Sequence, residues 1–203
     1  MDLTALWQLI EDPWTPYFAS MAPWEILEQL PSILVHVGRT LGADYREVAL
    51  QVWVHQSATV MTDLPLAAPC IIDEGAVIGP DAYLRGSAYI GRHAVVGHAA
   101  EVKNAILMTR AIIAHYNYVG DSILGAYAHL GAGAILSNLR QDNAPVWTEI
   151  GGIRYPTKRR KMGALVGDFA EVGCNAVLNP GTVLAAHAVV RPLSSVKGYI
   201  PTR

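Results

Sequence analysis

The chain has 203 residues, of which 52% are apolar and only 16% charged, with 15 Lys and Arg against 17 Asp and Glu for a formal net charge of −2. That balance argues against general nucleic-acid binding. No apolar run approaches the ~20 residues of a membrane span, and no signal peptide opens the chain, so the expected location is cytoplasmic and away from membranes.

Residues 1–50 lack the periodicity that dominates the rest. The stretch DLTALWQLIED predicts a short amphipathic helix with Asp2 as its cap, ended by the two prolines of PWTPY. Pro23 then marks the start of a second helix through APWEILEQL, and Pro31 opens the segment after it. Trp7, Trp14, Trp24 and Tyr17 give this region a large apolar payload, to be buried against the rest of the chain or a neighbouring subunit.

From Val54 a branched aliphatic residue returns every sixth position through Val60, Leu66, Ile72, Ile78, Leu84, Ile90, Val96 and Val102. Two five-residue steps carry the series through Leu107, Ile113, Val119 and Leu124, and Leu130 and Leu136 follow at six. After a break it resumes as Val166, Val172, Leu178, Leu184 and Val190. A helix repeats at about 3.6 residues and a half-exposed strand at 2, so neither produces this series. A hexapeptide repeat does, and it predicts an all-β chain: a parallel β-helix of triangular coils, three hexads to a coil. Ala76, Ala82, Ala88, Ala94 and Ala100 suit the narrow interior, and glycines directly after the aliphatic, such as Gly79, Gly91 and Gly97, suit close turns. The β-helix is expected over 51–192 within a unit reaching 203. A long loop at 138–163, functional or mobile, interrupts it, and an irregular cap follows Pro192.

Several side chains exceed what a hexad repeat requires. Arg85 and Lys103 stand one coil apart, stacked at about 4.8 Å. Two stacked cations need an anion beside them, either a phosphate or a carboxylate such as Glu101. His115 occupies a position where hexads carry a small or turn residue. An imidazole there can be a proton acceptor for an amine or hydroxyl nucleophile, or simply a histidine hydrogen-bonded at a corner. Tyr118 can offer its hydroxyl to a substrate or fill an interface. Cys70 and Cys174 have no metal-type spacing. His93 and His98 invite a zinc reading, but the third histidine it requires is displaced: His55 misses the spacing and Ser57 holds the place. The run from Lys158 to Lys161 reads as a solvated loop, as a crude targeting signal or as a contact for phosphates.

The strings EVKNA, AHYNYVGDSILG, HLGAGAILSN and KMGALVGDFAEVGCNAVLNPGT resemble the acetyltransferase domain of bifunctional UDP-N-acetylglucosamine pyrophosphorylase/glucosamine-1-phosphate N-acetyltransferases. They are closer still to the C-terminal domains of archaeal-type sugar-1-phosphate nucleotidylyltransferases, over about 70–192. The resemblance implies left-handed coils, a homotrimer with sites between subunits, acetyl-CoA as cosubstrate and no metal for acetyl transfer. It implies His115 as general base, Arg85 and Lys103 as a sugar-phosphate clamp, and Tyr118 and Asn138 as sugar contacts. It also places the Ala132 backbone at the thioester and Cys174 near the pantetheine arm. His129 stands where an asparagine that binds the sugar is usual, which bears on sugar specificity. No nucleotidyltransferase domain or glycine-rich nucleotide loop is found in the first 50 residues.

The implied activity is direct N-acetylation of an amino-sugar 1-phosphate, glucosamine-1-phosphate or a close relative. Two other classes remain. One is a non-catalytic β-helix subunit that binds a sugar nucleotide or partners a separate nucleotidyltransferase. The other is a metal hydratase of the γ-carbonic-anhydrase type.

Overall fold

The computed structural model describes residues 3–11, 13–61 and 66–202. The expected cap Asp2 lies outside them. The chain is a left-handed parallel β-helix whose three faces are sheets of nine, seven and six strands, here called the first, second and third faces. Within the first face, Val54 pairs with Ile72, Ile72 with Ile90, Ile90 with Leu107 and Leu107 with Leu124. Each of these aliphatics points inward, and together with the interior alanines they make one continuous core. Burying one such side chain stabilises by roughly 2 kcal/mol, so each coil adds its own increment against the last. The two five-residue steps of the series fall at the corner between the third and first faces, which is one residue shorter there.

The glycines after the aliphatics serve a purpose other than the turn conformation expected of them. The left-handed backbone positions belong to residues further round each corner, such as Ser87, His93 and Ala99. A Cβ on Gly97 would sit 1.6 Å from the Ala114 carbonyl oxygen, so it is the approach of the next coil that excludes a side chain.

The N-terminal region differs from expectation in three ways. Residues 3–11 form a turn and an extended segment rather than a helix. The helix α1 (Thr15–Ser20) begins at the prolines that were expected to end one, because Pro16 sits in its first turn, where a missing N–H costs nothing. The helix α2 (Pro23–Gly38) starts at Pro23 as expected but runs straight through Pro31. Ile26, Leu27, Leu30, Ile33, Leu34 and Val37 form an unbroken buried stripe, and Pro31 lies on the exposed side. Burial of that stripe outweighs the proline's lost hydrogen bond. A strand β1 (Tyr45–Ala49) then pairs antiparallel with β2 (Val52–His55), which begins the first coil.

This N-terminal segment coats the outside of the first face, where Ile71, Tyr89, Ile106, Ile123, Leu165 and Val183 share its cluster with Trp7, Trp14 and Leu30. Buried Asp168 ties it down by accepting the N–H groups of Gln8 (2.7 Å) and Leu9 (3.0 Å). The Trp7 indole donates to the Val166 carbonyl at 2.8 Å.

Two further corrections concern the C-terminal half. The interruption is an ordered excursion containing an antiparallel hairpin, Trp147–Ile150 against Ile153–Pro156, with Val146, Thr148 and Met162 buried. Beyond Pro192 the chain keeps its strand pairing rather than ending in an irregular cap: Val196 pairs with Leu178 and Ile200 with Leu184.

Candidate functional site

The third face and its corner with the first gather half of the eight singled-out residues, Arg85, Lys103, Tyr118 and Asn138. The strands of the third face include Glu101–Lys103 and Tyr118–Gly120, and Tyr118 pairs with Glu101 while Gly120 pairs with Lys103. Arg85 follows Leu84, the partner of Val102, so Arg85 and Lys103 stack in adjacent coils as their spacing predicts. Each cation has a carboxylate of its own. Arg85 Nη1 lies 2.6 Å from Glu101 Oε1 on the surface, and Lys103 Nζ lies 3.1 Å from Asp121 Oδ2.

Asp121 is the centre of this region, only 2% exposed, at the shortened corner in the left-handed conformation. Its carboxylate accepts from Lys103, from Asn104 Nδ2 at 2.9 Å and from Asn138 Nδ2 at 2.5 Å, with Arg159 Nη2 at 4.0 Å. Asn138 Nδ2 also lies 3.1 Å from the Tyr118 hydroxyl. Burial, with the nearby Asp121 carboxylate second, raises the Tyr118 phenol pKa above its ordinary value. The excursion leaves and rejoins the prism at this same corner, which is how Asn138 and Arg159 arrive there: Met162 N–H donates to the Asn138 carbonyl at 2.9 Å and Gly163 N–H to that of Asp121. Arg159, part of the basic run expected to be solvated, is instead turned inward, with its side chain 18% exposed.

His115, Ala132 and Cys174 lie along a different line, the corner between the second and third faces. His115 pairs with His98, and the Gly133 N–H donates to the His115 carbonyl at 2.8 Å. One coil further, the Asn175 N–H donates to the Ala132 carbonyl at 2.9 Å, which sets Cys174 beside Ala132. The His115 imidazole is exposed and has no side-chain partner among the described residues, and the Ala132 N–H has no protein acceptor there. Cys174 is an exposed free thiol. Tyr118 joins the two groups, opening the third-face strand three residues after His115.

His129 is not brought to either group within one chain. It lies on the second face, in register with Ile112 and Glu171, and its Nδ1 is 2.8 Å from Glu171 Oε2. The histidines of the zinc reading are dispersed as well: His98 contacts the Pro80 carbonyl, and no three His, Cys, Asp or Glu side chains among the described residues are placed to hold a metal. A polar groove of about 370 Å³ continues the Arg85–Lys103 edge two coils on, between Ser137, Arg140, Asn179 and Lys197. Asp121 stands out in the sequence only as a polar residue in excess of the repeat and Arg159 only as one of a basic run, without a role of their own, and Asn104 does not stand out at all. The early arrival of Leu107 and Leu124 is the signal that marks the corner they share.

Residues 66–200 match the family model described as the GMPPB C-terminal domain. The chain belongs to that family. Among curated proteins it is 33% identical to a bifunctional protein GlmU of Methanocaldococcus jannaschii over 168 residues, covering 81% of this chain and 41% of that protein. It is 34% identical to a bifunctional sugar-1-phosphate nucleotidylyltransferase/acetyltransferase of Sulfurisphaera tokodaii, covering 56% of this chain and 28% of that protein. It thus spans well under half the length of these relatives. Solved structures that match it include a mutant GDP-perosamine N-acetyltransferase from Caulobacter crescentus in complex with CoA and GDP-perosamine, at 22% identity and a TM-score of 0.32, covering 73% of this chain and 49% of that one. WeeI from Acinetobacter baumannii covers 92% of this chain and 79% of its own, at 12% identity and a TM-score of 0.36. No helix among the described residues is long and apolar enough to cross a membrane.

Proposed function

We propose that the chain is an acetyl-CoA-dependent N-acetyltransferase acting on an amino-sugar 1-phosphate, glucosamine-1-phosphate or a close relative. The observation that carries this reading is the His115 imidazole, without a side-chain partner among the described residues, one coil away from an Ala132 backbone N–H that has no protein acceptor among them. The relatives' names, which pair sugar-1-phosphate nucleotidylyltransferase with acetyltransferase, point the same way. The amine nitrogen bonds to the acetyl carbonyl carbon, and the carbon–sulfur bond breaks. The amine's proton passes to His115 and then to the departing thiolate. The Ala132 N–H steadies the oxyanion, a task backbone donors perform well because they need no reorganisation. No acyl-enzyme forms, so Cys174 lies beside the thioester arm without attacking it.

Arg85 and Lys103 hold the sugar phosphate, the first as a planar fork and the second as a point charge. Tyr118 and Asn138 contact the sugar. The groove at Arg140 and Lys197 suits the phosphates of the cosubstrate. The acyltransferase unit is 51–203. The first face is coated by the chain's own N-terminal segment, whereas the second exposes Ile112 and Val189. A closed threefold assembly through the second face buries them and carries His129 to a neighbour's site.

A second reading is favoured by one observation, that Glu101 and Asp121 already pair with the two cations. In it the chain binds a sugar nucleotide, or a separate nucleotidyltransferase, without turnover. Incubating the protein with acetyl-CoA and glucosamine- or galactosamine-1-phosphate, and following thiol release, separates the two. Release that falls by about 10²–10⁴ in His115→Ala, with the fold intact, is the expected result. Full transfer by His115→Ala overturns the assignment of the base, and silence from the wild-type protein favours the second reading.

A further inference from the structure

The corner that bears His115 departs from its neighbours at both ends. Four equivalent corners, Gly79 to Ala82, Gly97 to Ala100, Gly131 to Ala134 and Gly173 to Ala176, each open with glycine and close with a buried alanine, and only the last coil's corner, Arg191 to Ser194, joins the His115 coil in departing from this among the described residues. In the His115 coil the same stretch is Ala114, His115, Tyr116, Asn117. The strand register puts Asn117 between Ala100 and Ala134 in the interior column, and its side chain is 2% exposed.

An amide in that place is unfavourable in itself. Asn117 Oδ1 is buried without a hydrogen-bond partner among the described residues, a cost of about 1–3 kcal/mol that an alanine there avoids. The other end of the amide is fully engaged. Nδ2 donates to the Gly131 carbonyl at 2.8 Å and to the Ala134 carbonyl at 3.2 Å. Those two carbonyls bound the corner that holds Ala132, and the same corner is tied back to the His115 coil through the Gly133 N–H.

We propose that Asn117 is a positioning residue: by clamping both ends of the Gly131–Ala134 corner it fixes the Ala132 N–H relative to His115. The catalytic half of this assignment rests on the acetyl-transfer reading above; the clamp itself does not. It accounts for a polar side chain at a position where the packing requirement alone is met by alanine. A displacement of about 1 Å between an oxyanion donor and a base is enough to slow a reaction heavily, and a corner containing Gly133 has little stiffness of its own.

Asn117→Ala restores the residue that neighbouring coils use, so its thermal midpoint is expected to be equal to or above that of the wild type. Hydrogen exchange followed by mass spectrometry is expected to show the amides of 131–134 exchanging about tenfold faster, the equivalent of one lost hydrogen bond, with other coils unchanged. With acetyl-CoA and glucosamine-1-phosphate, kcat should fall about tenfold while both KM values stay within about twofold. Asn117→Ser, which keeps one donor, should recover part of the protection. Unchanged exchange at 131–134 overturns the clamp, as does faster exchange spread evenly over all coils with a lowered midpoint. Persistent transfer by His115→Ala removes the base and leaves the exchange result standing, so the two assignments fail separately.

Discussion

At the corner between the first and second faces, Tyr127, Phe169 and His187 occupy equivalent positions of successive coils and stack with ring centroids 4.9 and 4.8 Å apart. Arg110 takes the same place one coil earlier and lies over the Tyr127 ring. At the corner between the third and first faces the same left-handed bend is made by Asn104 and Asp121, one residue sooner after the aliphatic. There the side chains do not stack on their own kind; they converge on one buried carboxylate. The first corner is a ladder, in which each rung repeats its neighbour's contact at the surface. The second is a hub, in which Lys103, Asn104, Asn138 and Arg159 share a single acceptor. A common backbone bend therefore dictates where a side chain stands but not how its loss is distributed.

The sharpest test of that contrast is Asp121→Ala. It leaves a lysine, two amides and an arginine facing each other without their carboxylate, and urea unfolding should show a loss of about 3 kcal/mol. Phe169→Ala removes one rung, and its half-exposed neighbours relax toward solvent. The same measurement should show about 1 kcal/mol. Equal losses would erase the distinction between hub and ladder. The smallest effect is one of pH. Because burial and Asp121 raise the Tyr118 pKa, the unfolded chain releases its tyrosine proton first, from about pH 10. Stability contributed by this group is thus whole below that pH and is lost as pH rises through the folded pKa. Tyr118→Phe should make the decline in thermal midpoint above about pH 10 shallower than in the wild type. An identical slope would mean that Tyr118 is not coupled to the hub.

The coils were legible because a period of six has one structural solution, and the inward aliphatics from Val54 to Val190 follow it. The face of each polar side chain was legible too, by its neighbour in the series. Lys103 and Tyr118 flank Val102 and Val119 of the third face, whereas His129 precedes Leu130 of the second. A linear motif spanning all of them hides that difference. The depth of Asp121 was not legible, since its burial depends on an excursion that returns to the same corner. Nor was the inward turn of Arg159, because four consecutive cations carry no mark of which one faces a buried acid. At Pro16 and Pro31 local rules misled for different reasons. Pro16 falls in a first turn, where no hydrogen bond is lost, whereas Pro31 is mid-helix and is tolerated because the buried stripe on the other side outweighs the bond it removes. Asn117 was visible as an oddity only once the corner positions could be lined up coil by coil.

The excursion between Asn138 and Gly163 departs from the prism and re-enters it where the Met162 N–H reaches the Asn138 carbonyl. Leu124 below pairs directly with Val166 above, as if nothing intervened. For the solenoid it behaves as a cassette: the coils on either side pair as directly as coils with no insert between them. Lengthening such a closed insert costs little, because loop entropy grows only with the logarithm of its length. Residues of the insert that reach neither the Asp121 hub nor the buried Val146, Thr148 and Met162 can therefore vary in number and kind while the prism keeps its pairing.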